Sequence, residues 1–72
     1  MTRRYAIVIE KGPKSFGAYV PDLPGCVAVA RTRPAVLKSI REAIALHLED
    51  LRERGSALPK AAASADYVEV AV

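Results

Sequence analysis

An acid–base histidine, a nucleophilic thiol and a set of metal-binding carboxylates are the three kinds of chemistry for which this 72-residue chain has residue types, and their spacing argues against each. His47 is the only histidine. A catalytic imidazole needs an orienting partner and a reacting group within hydrogen-bond reach, and no such partner is legible near His47. It lies instead near the centre of an apolar helical stripe, so it reads as a core or interface histidine. Cys26 is the only cysteine; pairing with His47 would make a nucleophile and base, but a lone cysteine outside any motif reads as a small buried thiol. Magnesium-dependent cleavage needs several converging acids. Glu10 and Asp22 fall at opposite ends of successive strands or turns, while Glu42, Glu49, Asp50 and Glu53 belong mainly to the outer side of one helix. Glu49 and Glu53 stand one turn apart, a like-charge pair typical of a solvated acidic face that can meet a basic partner. No phosphate-cradling glycine loop, zinc motif or nucleophile elbow is present. The residues therefore predict no enzyme, no cofactor and no metal.

The elements that carry these residues are well marked. In Leu23-Pro24-Gly25-Cys26, Pro holds the second position of a turn and Gly the third, where a type II turn needs positive φ. Pro21 just upstream removes a ladder donor and suits a strand end. Residues 5–10 are β-branched and aromatic, residues 11–15 break them with turn formers, and residues 16–20 and 26–31 supply two further strands. Short connections make these an antiparallel meander. Thr32 can cap a helix with Pro34 in its first turn. From there Val36, Leu37, Ile40, Ala43, Ile44, His47, Leu48 and Leu51 share one face at 100° per residue, and Gly55 stops the helix. After Leu58-Pro59 and an alanine-rich connection, residues 67–72 alternate as a fourth strand. The predicted order is βββαβ, an α+β sandwich of two layers. One helix covers only one face of the sheet; the other, with Ala6, Val8 and partners from strands two and three, is left bare and predicts self-association or a protein partner.

At this length one domain is marginal without a staple, and a single cysteine forms no internal disulfide, so a subunit interface is the expected staple and a homo-oligomer the expected state. No apolar run reaches the roughly 20 residues of a membrane span, and the N-terminus lacks the apolar core of a signal peptide; the reading is a soluble, cytoplasmic protein with no membrane partner. Formal net charge is +3. Residues 1–41 carry eight Lys/Arg against two acids, residues 42–72 three against six, so the chain is dipolar along its length. A basic half raises nucleic acid as an alternative partner, although no aromatic or glycine pattern is interleaved as single-strand platforms require.

Taken together, Tyr5, the run Tyr19-Val20-Pro21-Asp22-Leu23-Pro24-Gly25-Cys26, Thr32 at the helix start, Arg41-Glu42-Ala43-Ile44, Gly55 and Leu58-Pro59 resemble the N-terminal domain of the HicB antitoxin family, over about Tyr5 to Pro59. The resemblance implies a partial ribonuclease H-like fold whose final strand lies parallel to strand one, in sheet order 3-2-1-4. It also implies a non-catalytic inhibitor that sits on a HicA-type toxin, a small basic messenger-RNA-cleaving protein, and masks its catalytic histidine. A fold name is not an activity. Residues 1–72 then read as a single HicB-like domain without a C-terminal helix-turn-helix or ribbon-helix-helix unit for operator binding. Where the family usually carries acids at the helix start, this chain has Ala30-Arg31-Thr32-Arg33-Pro34-Ala35. The residues expected to meet the partner are the corner, Pro21, Asp22, Leu23 and Pro24, and the acidic helix positions Glu42, Glu49 and Glu53.

Overall fold

The computed structural model describes residues 2–72. Three short strands, β1 (Val8–Lys11), β2 (Phe16–Tyr19) and β3 (Val27–Ala30), are followed by one helix, α1 (Arg33–Glu53). The strands form an antiparallel sheet in the order β1-β2-β3. The register opposes Ile9 to Ala18 and Ala18 to Ala28, and Val8 to Tyr19 and Tyr19 to Val27. Because side chains alternate across a sheet, the first row faces the helix and the second faces away. Ala18 is buried, with Ile9, Phe16, Ala28 and Ala30 packed against the same core. The outward row is open: Tyr19 is 41% exposed, Val27 62% and Val29 71%. The bare sheet face expected from strand alternation is therefore present.

The helix begins as its sequence predicts. Thr32 is extended, and its Oγ1 accepts the Ala35 N–H at 3.2 Å, which satisfies one of the donors a helix start leaves orphaned. Its end is a Schellman motif: the Ser56 N–H donates to the Leu51 carbonyl at 2.9 Å and the Gly55 N–H to that of Arg52 at 3.0 Å, with Gly55 at φ 73°. That conformation is open to glycine at little steric cost. Of the predicted apolar stripe, Val36 and Ile40 are buried, and Ala43, Ile44 and Leu48 pack against the core. Leu37 sits at the margin, 37% exposed. The helix lies over β3 and β2, and the core between the layers is Ala18, Val20, Leu23, Cys26, Val36 and Ile40.

The expected fourth strand is a correction. Residues 67–72 join no ladder, and Tyr67 is 96% exposed, Val68 82% and Val70 75%. The observed architecture is an α+β fold with a three-stranded sheet and one helix. The alternation of residues 67–72 is that of a strand, but alternation only prepares a segment for pairing, and the connection before it is held beside the segment leading into β1 by side-chain hydrogen bonds and not by a ladder. The Ala62 and Ala63 N–H groups donate to the Asp22 carboxylate, while the Pro59 carbonyl accepts from the Arg3 guanidinium and the Tyr5 hydroxyl. The first strand is also shorter than expected, since residues 5–7 precede the ladder.

Candidate partner-binding surface

The corner between β2 and β3 is built from two turns in succession. The Leu23 N–H donates to the Val20 carbonyl and the Cys26 N–H to the Leu23 carbonyl, both at 3.0 Å, and the Val20 N–H closes the base on the Cys26 carbonyl at 3.2 Å. Pro21 and Pro24 each take the second position, where a fixed φ near −65° suits the turn. Gly25 has φ 85°, as the second turn demands. A Cβ there would meet nothing within 4 Å, so glycine is required by backbone conformation alone. The result is a rigid knuckle with the Pro21 and Pro24 rings exposed on it.

The expected contact residues divide into four groups. Pro21 and Pro24 face outward. Leu23 does not: its relative exposure is 0%, so it anchors the corner from below and offers a partner no surface. A six-residue corner that turns back on itself has to place something in the core, and Leu23 is its largest apolar side chain. Asp22 is half-buried and turned toward its own chain, with Oδ2 accepting the Ala62 N–H at 3.1 Å and the Ala63 N–H at 3.0 Å. Its expected outward role thus meets a competing internal one, which one sequence cannot reveal because the two sites are 40 residues apart. Glu42, Glu49 and Glu53 are all exposed on the helix. Glu49 and Glu53 flank a shallow groove with Ala45, Leu48 and Arg52, so the acidic pair borders two apolar side chains and one cation.

Cys26 is buried at 4% exposure, and burial pushes its thiol pKa up from 9.0. Desolvation of the thiolate is the cause, and an inert structural thiol is the consequence. His47 is partly buried on the helix. Among the described residues no group of three His, Cys, Asp or Glu side chains is placed to hold a metal ion. No helix among them is long and apolar enough to cross a membrane.

A feature unseen in the sequence is a groove between the segment that leads into β1 and the helix. Its walls are Ile7, Leu37, Ile40 and Ile44, and Arg3, Arg4 and Arg41 stand around it. Arg3 and Arg4 are neighbours in the sequence, and folding brings Arg41, from the middle of the helix, to them. Arg31 and Arg33 remain at the helix start, where the first turn holds no acidic residue.

Comparison with known proteins gives these surfaces a context. Residues 5–71 match the family described as HicB-like antitoxin of bacterial toxin-antitoxin system. A 14.9 kDa uncharacterized protein from the rep-hol intergenic region of Haemophilus phage HP1 is 34% identical over 89% of this chain and 48% of its own length. A UPF0150 protein of Helicobacter pylori is 46% identical over 61% of each chain. A UPF0150 protein of Thermoplasma acidophilum is 31% identical over 79% of this chain and 84% of its own. The chain thus spans about half the length of the phage relative. In solved structures, a chain of a HicA3 and HicB3 toxin-antitoxin complex superposes with TM-score 0.66 at 38% identity, over 76% of this chain and 64% of that one. The chain belongs to the HicB-like antitoxin family of bacterial toxin–antitoxin systems.

Proposed function

We propose that this protein is a cytoplasmic antitoxin domain that binds a small RNA-cleaving toxin of the HicA type and blocks its active site by steric cover. The observation that carries this reading is the likeness, at 38% identity and TM-score 0.66, to a chain of a HicA3 and HicB3 toxin-antitoxin complex. The mechanism asks nothing catalytic of the antitoxin. Masking needs a rigid surface and complementary charge, since preformed shape limits the entropy lost on binding and complementary potentials steer encounter. The double-turn knuckle supplies rigidity at Pro21 and Pro24. The exposed carboxylates of Glu42, Glu49 and Glu53 supply negative charge for a basic partner, with Ala45, Leu48 and Arg52 lining the groove beside the last two. Homo-oligomerisation is part of this reading, because a 72-residue fold gains from a second buried surface.

The test is titration of the purified chain into the HicA-type ribonuclease of its own host, with RNA cleavage and complex mass as readouts. Stoichiometric loss of cleavage, weakened by E49K/E53K and retained in H47A, is the expected result. Cleavage that persists at saturating chain, with no complex by light scattering, would refute the proposal.

A further inference from the structure

A second depression adjoins the arginine groove, walled by Tyr5, Ile44, Leu48 and Leu58 with Arg3 and Arg52 at its rim. The two share Arg3, Tyr5 and Ile44, so they run on as one groove along the helix. Leu37, Arg41, Ile44, Leu48 and Arg52 form its helical wall as a single stripe. From Leu37 to Arg52 that wall extends about 22 Å, at about 1.5 Å per residue. No acidic side chain lines the groove. Arg3, Arg4, Arg41 and Arg52 are all exposed, and the ion pair found among the described residues, Arg54 with Asp50, uses none of them.

Cations spread over that length call for an anion that is itself extended. Arg3 already donates to the Pro59 carbonyl, but a guanidinium has five N–H donors, so it keeps capacity for a ligand. The polar side chains of the groove are donors: an arginine has no acceptor, and the Tyr5 hydroxyl donates to Pro59. An extended peptide brings an N–H for every carbonyl, and these side chains leave those N–H groups without a partner. The backbone of a nucleic-acid strand brings phosphate acceptors at every step, and guanidinium forks grip phosphate oxygens two at a time. The aliphatic walls and the Tyr5 ring give apolar cover to unstacked bases but hold no group that reads their edges. A duplex keeps its bases stacked inside and gains nothing from such a floor. Glu49 and Glu53 stand beyond Arg52 and repel a strand that leaves the groove on that side.

We infer that this groove binds single-stranded RNA through its phosphates, one each at Arg3, Arg4, Arg41 and Arg52, with the bases against the apolar walls and no sequence preference. RNA is the ligand because the single strands of a cell are chiefly RNA. The exposed lysines of the basic half, Lys11 and Lys14 among them, line neither depression and take no part. The groove is a different surface from the acids of the outer helix, so the inference stands whether or not the toxin reading holds.

Fluorescence anisotropy of a short labelled oligouridylate, titrated with the full chain at several salt concentrations, tests it. Each phosphate neutralised on a single strand adds about −0.7 to the slope of log K against log salt, so the wild type should show about −2.8, a loss of about 600-fold in affinity for tenfold more salt. R4Q and R41Q should each lower the slope by about 0.7, with helix content and Tm unchanged. K14Q, in the loop between β1 and β2, should leave it as it is. An oligoadenylate of the same length should bind within about threefold of the oligouridylate, as a groove without base readout requires. No binding at about 20 mM salt would overturn the inference. So would a slope that K14Q lowers as much as R41Q, which marks diffuse charge, or equal affinity for a duplex of the same length. A groove that takes a glutamate-rich aliphatic peptide and excludes RNA would overturn it as well.

Discussion

Replacing Asp22 by alanine removes the clamp on the chain's C-terminal connection and shows whether it is a local or a global support. The Asp22 carboxylate accepts the Ala62 N–H at 3.1 Å and the Ala63 N–H at 3.0 Å and 3.3 Å through its two oxygens. Hydrogen bonds to an ionised group contribute about 1.5–3 kcal/mol when well sheltered. Here the Ala62 bond is exposed and the Ala63 bonds only part-buried, so the clamp as a whole is assigned that same range, about 1.5–3 kcal/mol, rather than twice it. At 1.4 kcal/mol per decade, loss of the clamp lowers the protection of the two amides by roughly 10- to 150-fold. The core cluster of Ala18, Val20, Leu23, Cys26, Val36 and Ile40 includes no residue beyond Ile40, so the opening should stay local. If the whole cost fell on global unfolding, Tm would drop by about 6 °C or more for a chain of this size; a local opening moves it by less than about 4 °C. Amide exchange by NMR, read with a thermal melt, measures both. D22N keeps an acceptor oxygen without the charge and should lose only part of the protection. Equal exchange of the Ala62 and Ala63 amides in wild type and D22A would refute the reasoning, and so would a Tm drop of the global size.

Three further outcomes follow from the same geometry. G25A should cost about 1–2 kcal/mol, the penalty of an L side chain in the left-handed region. Since a Cβ at Gly25 meets no neighbour within 4 Å, G25N should recover part of that loss in denaturant titration. Cys26 should resist a thiol reagent such as DTNB at pH 8 until the chain unfolds. Because burial raises its pKa above 9.0, the folded state favours the neutral thiol: the stability it contributes is complete below pH 9 and is lost as pH rises through the higher folded value. C26A should lack that alkaline slope in stability measured between pH 8 and 10. R33E puts an acid in a first turn that holds none and should stabilise the chain by about 0.3–1 kcal/mol through the helix dipole; a fall in Tm at low salt would contradict it.

The parts of this fold that could be read from sequence are those decided within a few residues. The Pro-Gly turn, the Thr32 cap, the Gly55 stop and the stripe through Val36 and Ile40 each follow from backbone sterics or from one helical period, and the structure has all four. The site was less legible, because partner-facing character depends on what else a residue touches. Leu23 and Pro24 are neighbours in one motif, yet one is fully buried and the other exposed. Asp22 looks like a surface acid until the connection 40 residues away is seen to donate to it. The alternating segment at residues 67–72 is the clearest case: its pattern is a strand's, but a strand needs an edge, and pattern alone cannot say which edge is within reach.

Charge brings these observations together. Of the eight basic residues in the first half of the sequence, Arg3, Arg4 and Arg41 stand around one groove, Arg31 and Arg33 stand at the helix start, and Lys11, Lys14 and Lys38 are exposed elsewhere, while the acids of the second half lie on the helix exterior and on residues 66–69. An isolated copy therefore carries separated positive and negative surfaces. A formal net charge of +3 therefore does not fix the sign at the outer helix face, where Glu42, Glu49 and Glu53 are exposed, since the field at a docking surface follows the nearby unscreened charges, within about 10 Å at 0.1 M salt, and not the total.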